Sequence, residues 1–329
     1  MNIIDFAKAA GVSTATISRA FHEPDKVRPQ TRDRILDLAA KLRYYPDPSG
    51  RALVTGRHDA LGVVWPLEVE GTDAPFAQRI LAALTQVLVR LDLDLLICPV
   101  DRRVPATMAH ARRTLMRSRC DAWVLLYPRR DDEELLTSLG SSRKPVVCLM
   151  GSVPARPDWR CVELNQQGWM EDALRRLSQT GTRHPMFIGQ RPREQDHAER
   201  AQAFQRLAPQ QFSNWSCRPI WPATPETIAP LLAADSSPDA VIAVDDSVAL
   251  ATLSACRTLG ISVPHQIQII GMDDTPEARA ASPSIATFRQ PLAAMATAAV
   301  ELAMGKLDMT APFEAEFILG SSLRHRRES

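Results

Sequence analysis

An apolar helical pattern stops at Gly11 and restarts at Ser13, and no other stretch of this 329-residue chain restricts its fold so tightly. Ile3, Ile4, Phe6, Ala7 and Ala10 recur at helical spacing up to Gly11, and Ile17 with Ala20 takes up the rhythm beyond it. Gly11 opens the turn between them, and the Ser13 hydroxyl suits the N-cap of the second helix. Two short helices joined by such a turn form a helix-turn-helix, whose second helix fits a DNA major groove. The outward positions Thr14, Ala15, Ser18 and Arg19 then face bases and phosphates.

Charge agrees with this reading. The net charge of +1 conceals an asymmetry: residues 1–57 carry ten Lys or Arg against six Asp or Glu, and the remainder 29 against 32. A basic N-terminal module on a mildly acidic body is the layout expected when only the small module meets phosphate. A third helix is predicted from Pro29 to Leu42, with Ile35, Leu38, Ala39 and Leu42 on one face and Pro29 in the first turn.

The ordered run Ile4-Asp5-Phe6-Ala7, Ala10-Gly11-Val12-Ser13, Thr16-Ile17-Ser18-Arg19, Thr31-Arg32, Tyr44-Tyr45-Pro46 and Leu53 resembles the headpiece of the LacI-type (lactose-repressor) family of transcription regulators. The resemblance implies a repressor that binds a pseudo-palindromic operator in double-stranded DNA as a homodimer. Its DNA contacts would come from Asn2, Ser13, Thr14, Ala15, Thr16, Ser18, Arg19, Thr31, Tyr44, Arg51 and Leu53. Residues 1–46 form the headpiece in this reading, and 47–60 the hinge. Asp47 as N-cap and Pro48 at the first position begin a short helix, while Gly50 weakens it by about 1 kcal/mol relative to Ala. Such a segment is expected to fold on DNA, with Leu53 wedged into a minor-groove step.

From Leu61 the pattern changes to short β-rich runs alternating with helical ones. Strand-like runs at 61–65, 93–99, 122–127 and 146–150 frame helices at about 76–90 and 106–117. A second set, 161–164, 186–189, 241–244 and 267–272, frames helices beginning near 168, 196 and 247. Alternation of this kind argues for doubly wound parallel sheets in two lobes. The fold class expected is therefore an all-α helix-turn-helix headpiece plus an α/β core, which the resemblance makes periplasmic-binding-protein-like. The expected lobes are 61–160 with 290–315, and 161–289 with 316–329. The lactose repressor's tetramerising coiled coil has no counterpart, since no apolar heptads follow Arg326-Arg327.

Ligands of open α/β sheets bind beyond the carboxyl ends of strands. The run 240–244 ends in Asp245-Asp246, and 267–272 in Asp273-Asp274. Asp245 and Asp273 are placed on the ligand, although an Asp at a strand-to-helix junction also serves as an N-cap, a role open to Asp246. Arg200, in His197-Ala198-Glu199-Arg200-Ala201-Gln202-Ala203-Phe204, matches the family's effector-contacting arginine, with Ala203 in place of a Gly. Phe76, Tyr127 and Trp221 offer an apolar face, and Trp221 beside Pro222 also suits plain packing. Leu164-Asn165-Gln166-Gln167-Gly168 replaces the family's commoner Asp-Asn pattern and removes a carboxylate. The small-molecule effector expected is a sugar or sugar acid, with a nucleobase or nucleoside as the alternative.

Enzyme readings fail on motif context. Ser141-Ser142-Arg143-Lys144 fits Ser-x-x-Lys but leads into a strand, and no P-loop, Gly-x-Gly-x-x-Gly or Gly-x-Ser-x-Gly occurs. The seven histidines lack metal-ligand spacing, and the six cysteines form no CxxC pair, so neither metal nor cofactor is expected. Cysteines in apolar runs read as buried free thiols of a reducing compartment. No secretory pattern and no membrane-length apolar stretch is visible, so the expectation is a cytoplasmic protein away from the membrane.

Overall fold

The structure, a computed structural model, describes residues 1–46, 56–67, 74–117, 119–129, 131–153, 156–190, 194–212, 219–221, 225–234 and 238–324. The chain divides into two units, Met1–Asp59 and Ala60–Ser329. Hinge positions 47–55, with Arg51 and Leu53, lie outside the described residues, as does Cys217.

In the first unit α1 (Ile3–Ala10), α2 (Thr14–His22) and α3 (Pro29–Leu42) surround one apolar cluster of Phe6, Ala7, Ala10, Ile17, Ala20, Ile35, Ala39 and Tyr44. Gly11 sits at φ 66°, and the amides of Gly11 and Val12 donate to the carbonyls of Lys8 and Ala7, closing α1 as a Schellman motif. Ser13 caps α2 by accepting from the Thr16 amide at 3.1 Å. The buried stripe is narrower than the sequence pattern implies. Ile3, Ile4 and Leu42 are 37%, 57% and 43% exposed, because three short helices enclose only their facing sides.

The second unit holds two lobes. Its first sheet is parallel with order β2-β1-β3-β4-β5, built from β1 (Ala60–Pro66), β2 (Asp94–Val100), β3 (Ala122–Leu126), β4 (Val146–Leu149) and β5 (Arg160–Val162). Helices α4 (Ala74–Arg90) and α12 (Leu292–Ala303) cover one face, and α5 (Pro105–Met116) and α6 (Glu133–Ser141) the other. These strands are apolar without alternation because both faces are covered.

The second sheet runs β6-β7-β8, from β6 (Pro185–Ile188), β7 (Ala240–Ala243) and β8 (Gln268–Ile270), also parallel. Around it lie α7 (Gln166–Gln179), α8 (Gln195–Gln211), α9 (Pro225–Leu232), α10 (Asp246–Thr258) and α11 (Pro276–Ala280). The antiparallel pair β9 (Thr287–Arg289) and β10 (Glu316–Ile318) completes this lobe.

The chain passes between lobes near residues 163–165, 289–292 and 312–316. The first and third passages pair with each other: Asn165 donates to the Phe313 carbonyl, and Phe313 to that of Glu163, both at 2.8 Å. One expected boundary is corrected here. The run expected at 161–164 to open the second lobe begins in the first: β5 pairs in register with β4 and ends the first sheet. A three-residue apolar strand shows no preference for either sheet until its partner is known. Helices α6, α9, α11 and α12 have no counterpart among the expected elements.

Candidate DNA-reading and ligand-binding sites

On the first unit, the face of α2 opposite Ile17 and Ala20 is solvent-exposed at Thr14, Ala15, Ser18 and Arg19. The turn positions them through Ser13, whose hydroxyl also lies 2.9 Å from that of half-buried Thr16. Asn2 caps α1, accepting from the Asp5 amide at 2.9 Å. Asn2, Ser13 and Thr16 thus spend hydrogen-bonding capacity on helix starts, while their neighbours face outward. Half-buried Thr31 sits in the first turns of α3.

Tyr44, one of the DNA contacts that the resemblance implies, packs into the headpiece interior. It is buried, its ring stacked on Phe6 with centroids 4.1 Å apart, and it meets Phe21 edge-on. Its place in the motif is explained by packing, since it closes the hydrophobic cluster beneath α1 and α2.

In the second unit, Arg200, Asp245 and Asp273 converge at the carboxyl ends of β7 and β8. Arg200 is 1% exposed; its Nη1 donates to the Val244 carbonyl at 2.6 Å and its Nε to Gln166 Oε1 at 3.2 Å, and its Nη2 lies 3.4 Å from Asp196 Oδ2. A buried guanidinium is tolerated only when its fork is engaged in this way.

Asp245, rather than Asp246, is the N-cap of α10. Its Oδ1 accepts from the Val248 amide at 2.9 Å and from the Ser247 hydroxyl at 2.6 Å. Its Oδ2 lies 4.0 Å from Nε2 of His197. Asp246 instead turns inward, accepting from the Thr287 hydroxyl at 2.6 Å and the Thr275 amide at 2.7 Å. Burial pushes its pKa up to about 7 against these two donors.

Asp273 stands at φ 111°, a conformation an L residue adopts only when its surroundings impose it. Gln290 Nε2 donates to its Oδ1 at 2.6 Å from the second interlobe passage. Burial drives its carboxyl well above the usual range, and the nearby Arg200 charge opposes that shift.

The lobes meet around this wall. Arg79 of α4 donates to the Asp273 carbonyl at 2.8 Å and the Asp274 carbonyl at 3.3 Å, and the Gln195 amide donates to the Pro128 carbonyl at 3.1 Å. Phe76 and Tyr127 are mostly enclosed in the first lobe's apolar cluster, with the Arg79 guanidinium 5.9 Å from the Phe76 ring centre. Trp221 is half-buried, edge-on to Phe187, and its indole lies against Gly189; a Cβ there would be 2.3 Å from the ring.

Sequence reasoning misses Arg79, Gln166, His197 and Gln290. His197 is within its reach, since it lies three residues before Arg200 on the same helix. The others carry no local pattern; they matter because distant chain segments meet at the strand ends.

Residues 2–47 match the family of bacterial regulatory proteins, lacI family, and residues 174–327 match the periplasmic binding protein-like domain. The HTH-type transcriptional regulator GalS of Salmonella typhimurium is 29% identical over 321 residues, spanning 94% of this chain and 92% of GalS. GalR of Escherichia coli is 27% identical over 314 residues, spanning 93% and 89%. The lac repressor dimer bound to operator and the anti-inducer ONPF shares the fold, with a TM-score of 0.82 over 98% of each chain at 18% identity. A transcriptional regulator CelR–cellobiose complex has a TM-score of 0.68 over 98% of this chain and 99% of its own, at 23% identity. An exposed helix-turn-helix joined in one chain to a two-lobed binding core defines a DNA-binding transcriptional regulator. Residues 2–47 form a DNA-binding module of the LacI family.

Proposed function

We propose that this regulator binds a pseudo-palindromic operator as a homodimer in the cytoplasm and changes its operator affinity when a neutral sugar occupies the space between the core lobes. The observation that carries the effector reading is the polar wall of Arg200, Asp245 and Asp273 at the strand ends, met from the opposite lobe by Arg79. The Asp245 and Asp273 carboxyl oxygens accept from sugar hydroxyls, whereas Arg200 already spends three of its five N–H donors on Asp196, Gln166 and Val244. A neutral sugar is therefore favoured over a sugar acid, and the cellobiose held by CelR supports the class. Thr14 and Arg19 read base edges, with a bidentate Arg19–guanine pair contributing about 1–3 kcal/mol of discrimination. Arg51 and Leu53 act in the hinge, with Leu53 at the central step between half-sites. The effector shifts operator affinity only by its differential affinity for the two lobe arrangements.

The test has two arms. Selection from random duplexes with the full chain should return a pseudo-palindrome, and Arg19→Ala should relax its sequence preference with unchanged unfolding of the protein. A thermal-shift screen of sugars, sugar acids and nucleobases should then give stabilisation by a neutral sugar that also alters operator affinity. A nucleobase hit would transfer the effector class, and a ligand that leaves operator affinity unchanged would remove the regulatory reading.

A further inference from the structure

Four cysteines lie on one face of the first sheet: Cys98, Cys120 and Cys148 within the layer under α5 and α6, and Cys161 packed against it. Two of them form a pair. Cys148 on β4 and Cys161 on β5 are direct partners in the parallel register, so both side chains leave the sheet on the same side. Adjacent strands lie about 4.7–4.9 Å apart, inside the Cα separation of about 4.4–6.8 Å that a disulfide spans. Cys148 is fully buried, whereas Cys161, on the edge strand of the sheet, is partly open to solvent.

The two thiols also differ chemically. The Cys161 thiol donates to the Trp159 carbonyl at 3.6 Å; the neighbouring Cys148 sulfur lowers its pKa, and the same neighbour contact together with burial drives Cys148 far upward. Burial alone pushes Cys98 up to about 11, and it is the main cause that pushes Cys120 up to about 12. The thiolate is the nucleophile, so the accessible member of the pair is the reactive one and its buried neighbour is placed to resolve it.

We propose that Cys148 and Cys161 form a reversible oxidation site, closed to a disulfide by a hydroperoxide. The Cys161 thiolate attacks the peroxide, an S–O bond forms as the O–O bond breaks, and the departing alkoxide or hydroxide takes a proton. The Cys148 sulfur then displaces the sulfenic hydroxyl, whose oxygen leaves as water with the Cys148 proton. Two thiols are oxidised by two electrons and one hydroperoxide is reduced to an alcohol or water. The bond would tie β5 to β4 immediately before residues 163–165 leave for the second lobe, and so anchor the first interlobe passage to the first sheet.

Peptide mapping of the full-length protein decides the matter. Trypsin cuts after Arg160, which places Cys148 on peptide 144–160 and Cys161 on peptide 161–175. After hydrogen peroxide treatment of the native protein and alkylation in denaturant, the two peptides are expected as one linked species, with two of the six thiols lost to alkylation and restored by dithiothreitol. Cys148→Ser should leave Cys161 as a dimedone-reactive sulfenic acid, and Cys161→Ser should leave Cys148 open to alkylation upon unfolding. Should peroxide leave Cys161 unmodified in the wild type, or link either residue to Cys98, Cys120, Cys217 or Cys256, the proposal is overturned. The wild-type map alone gives this answer if a variant fails to fold.

Discussion

The headpiece carries its reading groups on the outside of a small apolar cluster, and the core domain holds its polar groups inside, at the strand ends of the second sheet. Thr14, Ser18 and Arg19 are exposed, and their positions follow from two helix caps within the same short segment. Arg200, Asp246 and Asp273 are buried, and each is held by partners from several chain segments. A surface that meets a highly charged, hydrated polymer needs mobile groups that exchange water for phosphate and base edges. A site for a small ligand needs groups fixed before the ligand arrives, because ordering them afterwards would consume binding energy.

That contrast is open to test by substitution. Arg200→Ala should be the most damaging, since it strips a buried guanidinium from Asp196 and from the Val244 carbonyl. Breaking such a pair costs about 3–5 kcal/mol, so denaturant unfolding of the core should shift by that amount and the ligand response should vanish. Retained stability would mean that the wall is far less dependent on this network.

Phe6→Ala removes the ring on which Tyr44 stacks and should cost the headpiece about 3–5 kcal/mol. Operator binding should be lost while sugar-induced stabilisation of the core persists. Parallel loss of both would show that the two units do not fold independently.

Asp246→Asn probes burial directly. A folded pKa near 7, raised from 3.8, means that the folded state binds the proton more tightly than the unfolded chain. Its contribution to stability is then fully present below 3.8, falls as pH rises, and is lost above about 7. Asn mimics the protonated form, with an oxygen for the Thr275 amide and a donor for the Thr287 hydroxyl. The variant should flatten the dependence of melting temperature on pH across that window and gain relative to wild type at pH 8. An unchanged pH profile would assign the titration elsewhere.

The smallest effect is expected at Ser13→Ala, about 1 kcal/mol from the lost N-cap of α2. Headpiece amide exchange should quicken and operator affinity fall modestly, with core unfolding unchanged.

Features governed by near neighbours along the chain are legible in the sequence alone. Gly11 as the turn after α1, Ser13 as the cap of α2, and α3 from Pro29 to Leu42 all stand where local pattern places them. So do the strand ends that gather Asp245 and Asp273, since strand-helix alternation dictates where such ends fall. Local pattern is silent wherever two segments have to meet. The packing of Tyr44 shows only once Phe6 stacks on it, and the sheet of β5 is decided only when β4 pairs with it. The capping role of Asp245 and the interior role of Asp246 are likewise interchangeable by local pattern.

The sequence by itself therefore determined that a helix-turn-helix precedes an α/β core of two lobes, because periodicity and capping act over a few residues. Only the tertiary structure decided which polar groups are buried and who their partners are. Desolvation and the donors that offset it depend on every segment packed nearby, and that information is spread across the whole chain.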